Sequence, residues 1–247
     1  IFRVMARRKI NKEQIRNNLS EIQQKIDQAA AKSGRKSSEI SLMAVTKKKS
    51  AEVIRCLIDL NIRYFGENYP DETLGKIEAF KETEHAIRLC MIGHLQSRKI
   101  NIVAEHFDEY HSLDRLKTAV RLNQILKMIH KTMPVFLEIN IGNEDSKSGW
   151  SSENGNLSDQ LLKDLEVIRT LSQLKVDGLM ALPPISENPE ESRPYFVRLR
   201  YMLEKLNDNY GYSLHHLSMG TSIDYPIAIE EGATFVRIGT ALTGPRI

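Results

Sequence analysis

Ser41-Leu-Met-Ala-Val-Thr-Lys47 is a short apolar run that ends on a lysine. Leu42–Val45 reads as a buried strand: four apolar residues, bounded upstream by Ser37-Ser38 and downstream by Ser50. The spacing of Val53, Ile54, Leu57 and Ile58 then predicts a helix with Ser50 as its N-cap. Strand, short loop and helix make half of a βαβ unit, and ligands in such folds sit at the carboxyl ends of the strands. Lys47 stands at that end. An amine held against apolar walls loses its proton more readily, because desolvation disfavours the charged form, which makes Lys47 a candidate for Schiff-base chemistry. Lys48 and Lys49 follow at once, and a Lys-Lys-Lys run equally fits a solvated turn. Position at the strand end singles out Lys47 of the three.

Outward from this stretch the chain alternates. Upstream, a capping-box pattern at Asn11 and Gln14 opens an amphipathic helix over 11–32, with Ile15, Leu19, Ile22 and Ile26 on one face. Downstream, strand-like Ile62–Phe65 leads through Gly66-Glu67-Asn68 to a helix with Pro70 at N1 and Leu74, Ile77 and Phe80 inside. The apolar run Ile87–Ile92 ends in Gly93-His94 and precedes a helix from about Ser97 to Glu105. Phe107–His111 is a weak strand, followed by Asp114 as N-cap and a helix through Leu116, Val120, Ile125 and Ile129. Val135–Ile141 is a strand that gives way to a polar loop over 142–156. Helix 158–172, strand Val176–Leu179 and a helix capped by Asn188, with Pro189 at N1 and Phe196, Leu199, Leu203 and Leu206 inside, come next. Strand Leu214–Leu217, the segment from Ser218 to Glu230 and the last strand, Thr234–Ile238, complete the series. Regular alternation predicts parallel strands, and eight repeats predict a closed barrel. The expected fold is α/β: a single (β/α)8 TIM barrel with an additional N-terminal helix, one domain over 1–247, in which residues 1–10 are a lead that is either flexible or foreign to the natural chain.

The bulk numbers agree. Hydrophobic residues make up 41% of 247, enough for a sizeable core. A formal charge of +3, with basic residues interleaved with acids as in Lys76-Ile-Glu78, declares no nucleic-acid-binding face. Cys56 and Cys90 read as core thiols and not as a disulfide or metal site. No run has the length of a membrane span and no signal peptide is recognisable, so the expectation is a soluble, cytoplasmic protein. A monomer is expected as well.

In a barrel, residues at the strand ends face one another on one rim. Here these are Lys47, Gly66-Glu67-Asn68, Gly93-His94, Ser112, Asn140, Met180, Ser218-Met219-Gly220 and Gly239-Thr240. An amine, amides, hydroxyls and glycines in one ring suit a phosphate-bearing carbonyl ligand: the amine forms an imine while N–H groups and hydroxyls hold the phosphate. The two final strand ends, the usual phosphate cradle of such barrels, supply Ser218, Ser222, Gly239 and Thr240. Arg237 shares a strand face with Phe235 and points into the barrel, where it faces either a buried carboxylate such as Glu67 or Glu138, or a ligand.

Ala44-Val-Thr-Lys47, Phe65-Gly-Glu-Asn-Tyr69, Ile92-Gly-His-Leu-Gln-Ser97, Lys147-Ser-Gly149, Gly178-Leu-Met180, Leu217-Ser-Met-Gly-Thr-Ser-Ile-Asp224 and Val236-Arg-Ile-Gly-Thr240 resemble, in order, blocks of the YggS/PROSC family of pyridoxal-phosphate (PLP) homeostasis proteins. The blocks span about Lys12 to Arg246. The resemblance implies a barrel like the N-terminal domain of alanine racemase, with PLP on Lys47. It also implies Ser222, Gly239 and Thr240 at the phosphate with Ser218 close by, Arg237 facing the pyridine nitrogen and Asn68 near the ring. This chain departs from the family at Lys48-Lys49-Ser50, where a proline is usual, and at Leu89-Cys90-Met91, where Trp-His-Phe is usual. Leu242-Thr243-Gly244 stands where Phe-Gly is common.

Family members are regarded as regulators of PLP and amino-acid pools, so the resemblance implies a carrier that delivers PLP to apoenzymes. The competing function is an alanine-racemase-like amino-acid racemase. Such an enzyme needs a second base, which in alanine racemase comes from an additional β-domain. No such domain is expected after the last barrel block. A third reading, a Schiff-base aldolase without PLP, would be colourless.

Overall fold

Among the described residues there are ten strands and ten α-helices; the strands are β1 (Ser41–Val45), β2 (Tyr64–Glu67), β3 (Arg88–Met91), β4 (Glu109–Leu113), β5 (Met133–Asn140), β6 (Trp150–Glu153), β7 (Asn156–Leu157), β8 (Leu174–Ala181), β9 (His216–Thr221) and β10 (Phe235–Ile238). The helices are α1 (Lys12–Lys32), α2 (Ala51–Asp59), α3 (Pro70–Leu74), α4 (Glu78–Lys81), α5 (Ile100–His106), α6 (Leu116–Met128), α7 (Asp159–Ile168), α8 (Arg193–Tyr210), α9 (Tyr225–Glu230) and α10 (Thr240–Thr243). They come from a computed structural model that describes residues 12–81, 83, 85–153 and 156–244. The expected cap Asn11, the lead 1–10 and Arg246 lie outside the described residues.

The strands pair in the order β1-β2-β3-β4-β5-β8-β9-β10, and β10 pairs with β1, all in parallel. This closes the expected barrel. The reason is visible in the burial: strands covered on both faces carry apolar residues at successive positions, as along β5. Outward residues such as Ala44, Phe65, Leu137 and Val236 join the main core under the helices. Inward residues Met43, Cys90, Phe136, Met180 and Phe235 make a second, smaller cluster inside the barrel. The expected N-terminal helix α1 buries Ile15, Ile22 and Ile26 and packs on α9 and α10. No helix among the described residues is long and apolar enough to cross a membrane.

Several boundaries differ from the sequence reading. The second strand is β2, starting at Tyr64 and not at Ile62, because Asn61 (φ 68°) ends α2 in the left-handed conformation. The Ile62 N–H then donates to Leu57 O (3.0 Å) and that of Asn61 to Ile58 O (2.9 Å), a Schellman stop. The helix after Pro70 breaks at Gly75 into α3 and α4, which leaves Leu74 exposed rather than inside. Asp114 does not cap α6: Arg115 holds the cap position, and Asp114 Oδ2 meets His94 Nδ1 at 2.8 Å. Ile129 is exposed beyond the end of that helix. Asn188 caps the 3-10 turn Pro189–Ser192, from which α8 continues.

The segment 142–156 is not wholly loop. It contains β6, parallel to β5, and reaches β7, antiparallel to β6. Trp150 anchors this flap: it is buried, and its indole N–H donates to Asp164 Oδ2 at 2.8 Å. Finally, Ser218, Met219 and Gly220 lie within β9 and not after it.

Candidate functional site

A cavity of about 540 Å³ opens at the carboxyl ends of β1, β2, β9 and β10, within the range of about 300–1,000 Å³ usual for small-molecule sites. Lys47, Asn68, Ser222, Arg237, Gly239 and Thr240 all line it. Six residues expected from the sequence are thus brought together from four strand ends. Ser218 is not among the lining residues; it is fully buried beneath them, with its hydroxyl engaged by Arg237 and His111. Among the described residues no carboxylate lines the cavity.

The lysine wall is built on buried charge. Thr46, directly before Lys47, is fully buried, and its hydroxyl donates to Glu67 Oε1 at 2.6 Å. Lys76 Nζ reaches Glu67 Oε1 and Glu72 Oε1 at 2.8 Å each and also donates to the Thr46 carbonyl at 2.8 Å. Glu72 Oε1 in turn accepts the Lys48 backbone N–H at 2.5 Å. The peptide on each side of Lys47 is therefore fixed by an ion-pair network beneath it. Lys48 takes a left-handed conformation (φ 60°) and is exposed, whereas Lys49 reaches the cavity rim with its amine on the carbonyls of Thr243 and Gly244 (3.1 Å each). The lysine triplet is thus neither all solvated nor all in the site.

Asn68 follows β2 and its loop lies against Gly93, where a Cβ would stand 2.5 Å from the Asn68 carbonyl oxygen. Glycine at 93 is what allows that approach. Asn68 Oδ1 is buried without a hydrogen-bond partner among the described residues.

The opposite wall carries donors. The pairing of β9 with β10 shifts register between Phe235 and Arg237, so that Phe235 faces Ser218 and Arg237 faces Thr221. Such a bulge re-aims side chains beside a site. Beyond it, the backbone N–H groups of Gly239 and Ala241 converge on Ser222 Oγ, each at 3.3 Å, with Thr240 between them. Arg237 is only 5% exposed. Its Nη1 donates to Ser218 O (2.6 Å) and Oγ (2.8 Å), and its Nη2 to Ala181 O (2.9 Å). Burial lowers Arg237 to about 10, which still leaves it charged at neutral pH; the charges of Asp224 and Glu138 oppose the fall.

Neither carboxylate suggested from the sequence forms an ion pair with Arg237. Glu67 belongs to Lys76. Glu138 lies buried on β5, where burial foremost and the Asp114 charge next push it up to about 7, against the pull of Arg237. Other rim residues have structural duties. Asn140 clamps the chain at Glu144 through its amide N–H (2.9 Å) and amide oxygen (3.1 Å), and Ser112 donates to Gly93 O at 2.8 Å. His94 lies outside the cavity lining, with Arg115 and Ser148 within 3.1 Å of its ring nitrogens. Cys56 and Cys90 are not joined in a disulfide; Cys90 is a buried thiol, whereas Cys56 is only half-buried.

The sequence reading missed Lys76 and His111. Lys76 had no signal beyond its place in a mixed-charge stretch. His111 had one: it ends the weak strand Phe107–His111, two residues after Glu109, and so shares that residue's face.

Comparison with known proteins agrees with this geometry. The alanine racemase N-terminal domain family matches residues 10–246. The pyridoxal phosphate homeostasis protein of Escherichia coli K12 is 39% identical over 235 residues, covering 94% of this chain and 97% of the relative. That of Aquifex aeolicus is 38% identical over 229 residues, covering 92% and 96%. PipY of Synechococcus elongatus PCC7942, solved with PLP bound, superposes with a TM-score of 0.78 at 28% identity, covering 94% of this chain and all of that one. An alanine racemase of Clostridium difficile shares the fold at TM-score 0.72 and 16% identity, with 94% of this chain and 57% of that one covered. With a barrel, a strand-end lysine and a donor-rich opposite wall in place, the chain belongs to the pyridoxal phosphate homeostasis protein family, within the alanine racemase N-terminal domain family.

Proposed function

We propose that this chain binds PLP in the cavity as a Schiff base of Lys47. It serves PLP homeostasis in the cytoplasm, as a monomer that stores the cofactor and delivers it to PLP-dependent apoenzymes. The observation that carries this reading is the donor set: the amines of Lys47 and Lys49, a guanidinium, hydroxyls that include those of Ser222 and Thr240, and two converging backbone N–H groups around one cavity, with no carboxylate among the described lining residues. That set fits an aldehyde that also bears a phosphate. The PLP-bound relative and the family membership support it.

In this reading Ser222, Gly239 and Thr240 hold the phosphate, and Ser222 Oγ already marks the point where the N–H groups of 239 and 241 meet. Asn68 offers its unpartnered Oδ1 near the ring. Arg237 faces the ring nitrogen, and Ser218 supports it from below. PLP, when bound, supplies an electron sink whose strength depends on protonation of that nitrogen. A permanent positive charge at Arg237 disfavours such protonation, which suits storage better than chemistry at an amino acid's α-carbon.

The test is an absorbance spectrum of the purified protein before and after borohydride reduction, followed by peptide mapping. The expected result is a visible band that reduction abolishes, a pyridoxyl label on Lys47, and loss of the band in Lys47→Ala. A label on Lys48 or Lys49, or a full band in Lys47→Ala, would overturn the assignment.

A further inference from the structure

Inside the barrel, beneath the cavity, runs a polar column that the cofactor reading leaves unused. Glu109 and His111 belong to β4 and Ser218 to β9. His111 is fully buried, its ring stacked on Phe136 (centroids 3.7 Å apart, planes at 17°) and edge-on to Phe235. Its Nε2 lies 2.8 Å from Glu109 Oε2 and its Nδ1 lies 3.1 Å from Ser218 Oγ. Ser218 Oγ accepts from Arg237 Nη1 at 2.8 Å.

Hydrogen-bond chemistry gives this column one direction. An ionised carboxylate only accepts, so His111 must carry its proton on Nε2. A neutral imidazole protonated there accepts at Nδ1, and Ser218 is the donor within reach. The serine hydroxyl thus points at His111 and turns a lone pair to Arg237. Every donor in the series Arg237, Ser218, His111, Glu109 faces the same way. Burial lowers His111 and keeps the ring neutral, with Glu109 opposing and the charges of Arg237 and His216 adding to the fall. Burial alone would raise Glu109, but the hydrogen bond from His111 and the charge of Arg88 hold it below its ordinary value.

Cys90 Sγ, 3.9 Å from Glu109 Oε2, gives this corner a composition resembling a metal site. Here two of its three members, Glu109 and His111, are joined directly by a hydrogen bond.

We propose that Glu109, His111 and Ser218 are positioning residues for Arg237: the carboxylate low in the barrel fixes the histidine tautomer, the tautomer fixes the serine hydroxyl, and the hydroxyl holds the guanidinium toward the ring end of the cofactor. The proposal rests on the cofactor reading above, and its test has two arms that fail separately.

In the first arm, on protein freed of ligand, nitrogen-15 NMR of the histidine rings is recorded from about pH 6 to 8. His111 is expected as the neutral Nε2–H tautomer throughout; an Nδ1–H tautomer or a charged ring overturns the proposal. In the second arm, binding of PLP and of pyridoxal is compared across variants whose thermal unfolding shows a folded protein. His111→Phe, which keeps the aromatic stack, and Ser218→Ala, which removes little volume, should each weaken both ligands by about tenfold, a hydrogen bond's worth. Glu109→Leu should do the same, while Glu109→Gln, which keeps an acceptor oxygen, should stay within about twofold of the parent. Unchanged binding in Ser218→Ala, a loss confined to PLP, or a Glu109→Gln variant as weak as Glu109→Leu overturns the relay. Failure of the parent chain to bind PLP on Lys47 would instead sink the cofactor reading and leave the tautomer measurement standing.

Discussion

On the β1–β2 wall of the cavity a lysine stands above a buried ion pair, Lys76 with Glu67, that ties down the peptide on each side of it. On the β9–β10 wall an arginine rests on two carbonyls and a hydroxyl, and the remaining donors are uncharged. The first wall is compensated internally, so the position of Lys47 is set by the fold alone. The second leaves positive charge and N–H groups to be met by a ligand. A site that must take up and give back an anion needs both: one wall whose geometry does not depend on occupancy, and one whose electrostatics improve with it.

The comparison breaks most visibly at Lys76. Replacing Lys76 by Met strands Glu67, a carboxylate with no exposed surface whose value burial already raises in spite of Lys76. Stability should fall by about 3–5 kcal/mol in urea unfolding. Adding Glu67→Gln should restore a large part of it, since the stranded charge is then gone. No recovery in the double variant would mean that the lysine wall is not held by this pair.

Glu138, on β5 and within reach of the Arg237 charge, sharpens the comparison, because it is a buried carboxylate left without a cation in ion-pair contact. Its folded-state value, about 7, lies above the ordinary 4.5. Between these the folded state binds more protons than the unfolded one, so stability falls as pH rises from about 4.5 to 7. Glu138→Gln, which mimics the protonated acid, should therefore be more stable than the parent at pH 8 by at most about 3 kcal/mol and show no advantage at about pH 4. Equal differences at both pH values would remove the titration of Glu138 from the account.

The smallest expected effect is on the ligand alone. Thr240→Val deletes one hydroxyl of the donor wall and should cost PLP binding about 1.5–3 kcal/mol, or one to two decades in Kd. Pyridoxal, which lacks the phosphate, should bind as before. An equal loss for both ligands would place the phosphate elsewhere.

Much of this site is legible without coordinates. Leu42–Val45 is an apolar run of strand length, so Lys47 falls at a strand end wherever the strand goes, and the same logic delivers Asn68 and Gly239. Ser218 shows where it stops. Leu214–Leu217 followed by Ser-Met-Gly resembles a strand and its turn, yet β9 continues to Thr221 because both of its faces are covered, and that carries Ser218 below the cavity. Trp150 was hidden in a polar stretch, since its anchor Asp164 lies on the next helix.

What the sequence determined by itself is therefore the alternation of strand and helix, and with it the closed parallel barrel and the ring of strand-end residues. Apolar period and turn chemistry are local properties of the backbone, read within a dozen residues. Only the tertiary structure decided how the buried charges are partnered: Glu67 with Lys76 rather than Arg237, Arg237 with Ser218 and Ala181, His111 between Glu109 and Ser218. These choices join residues that are far apart in the chain and depend on which inward-facing side chains share a depth in the barrel. Depth is fixed by the register of neighbouring strands, and register is a property of the closed sheet.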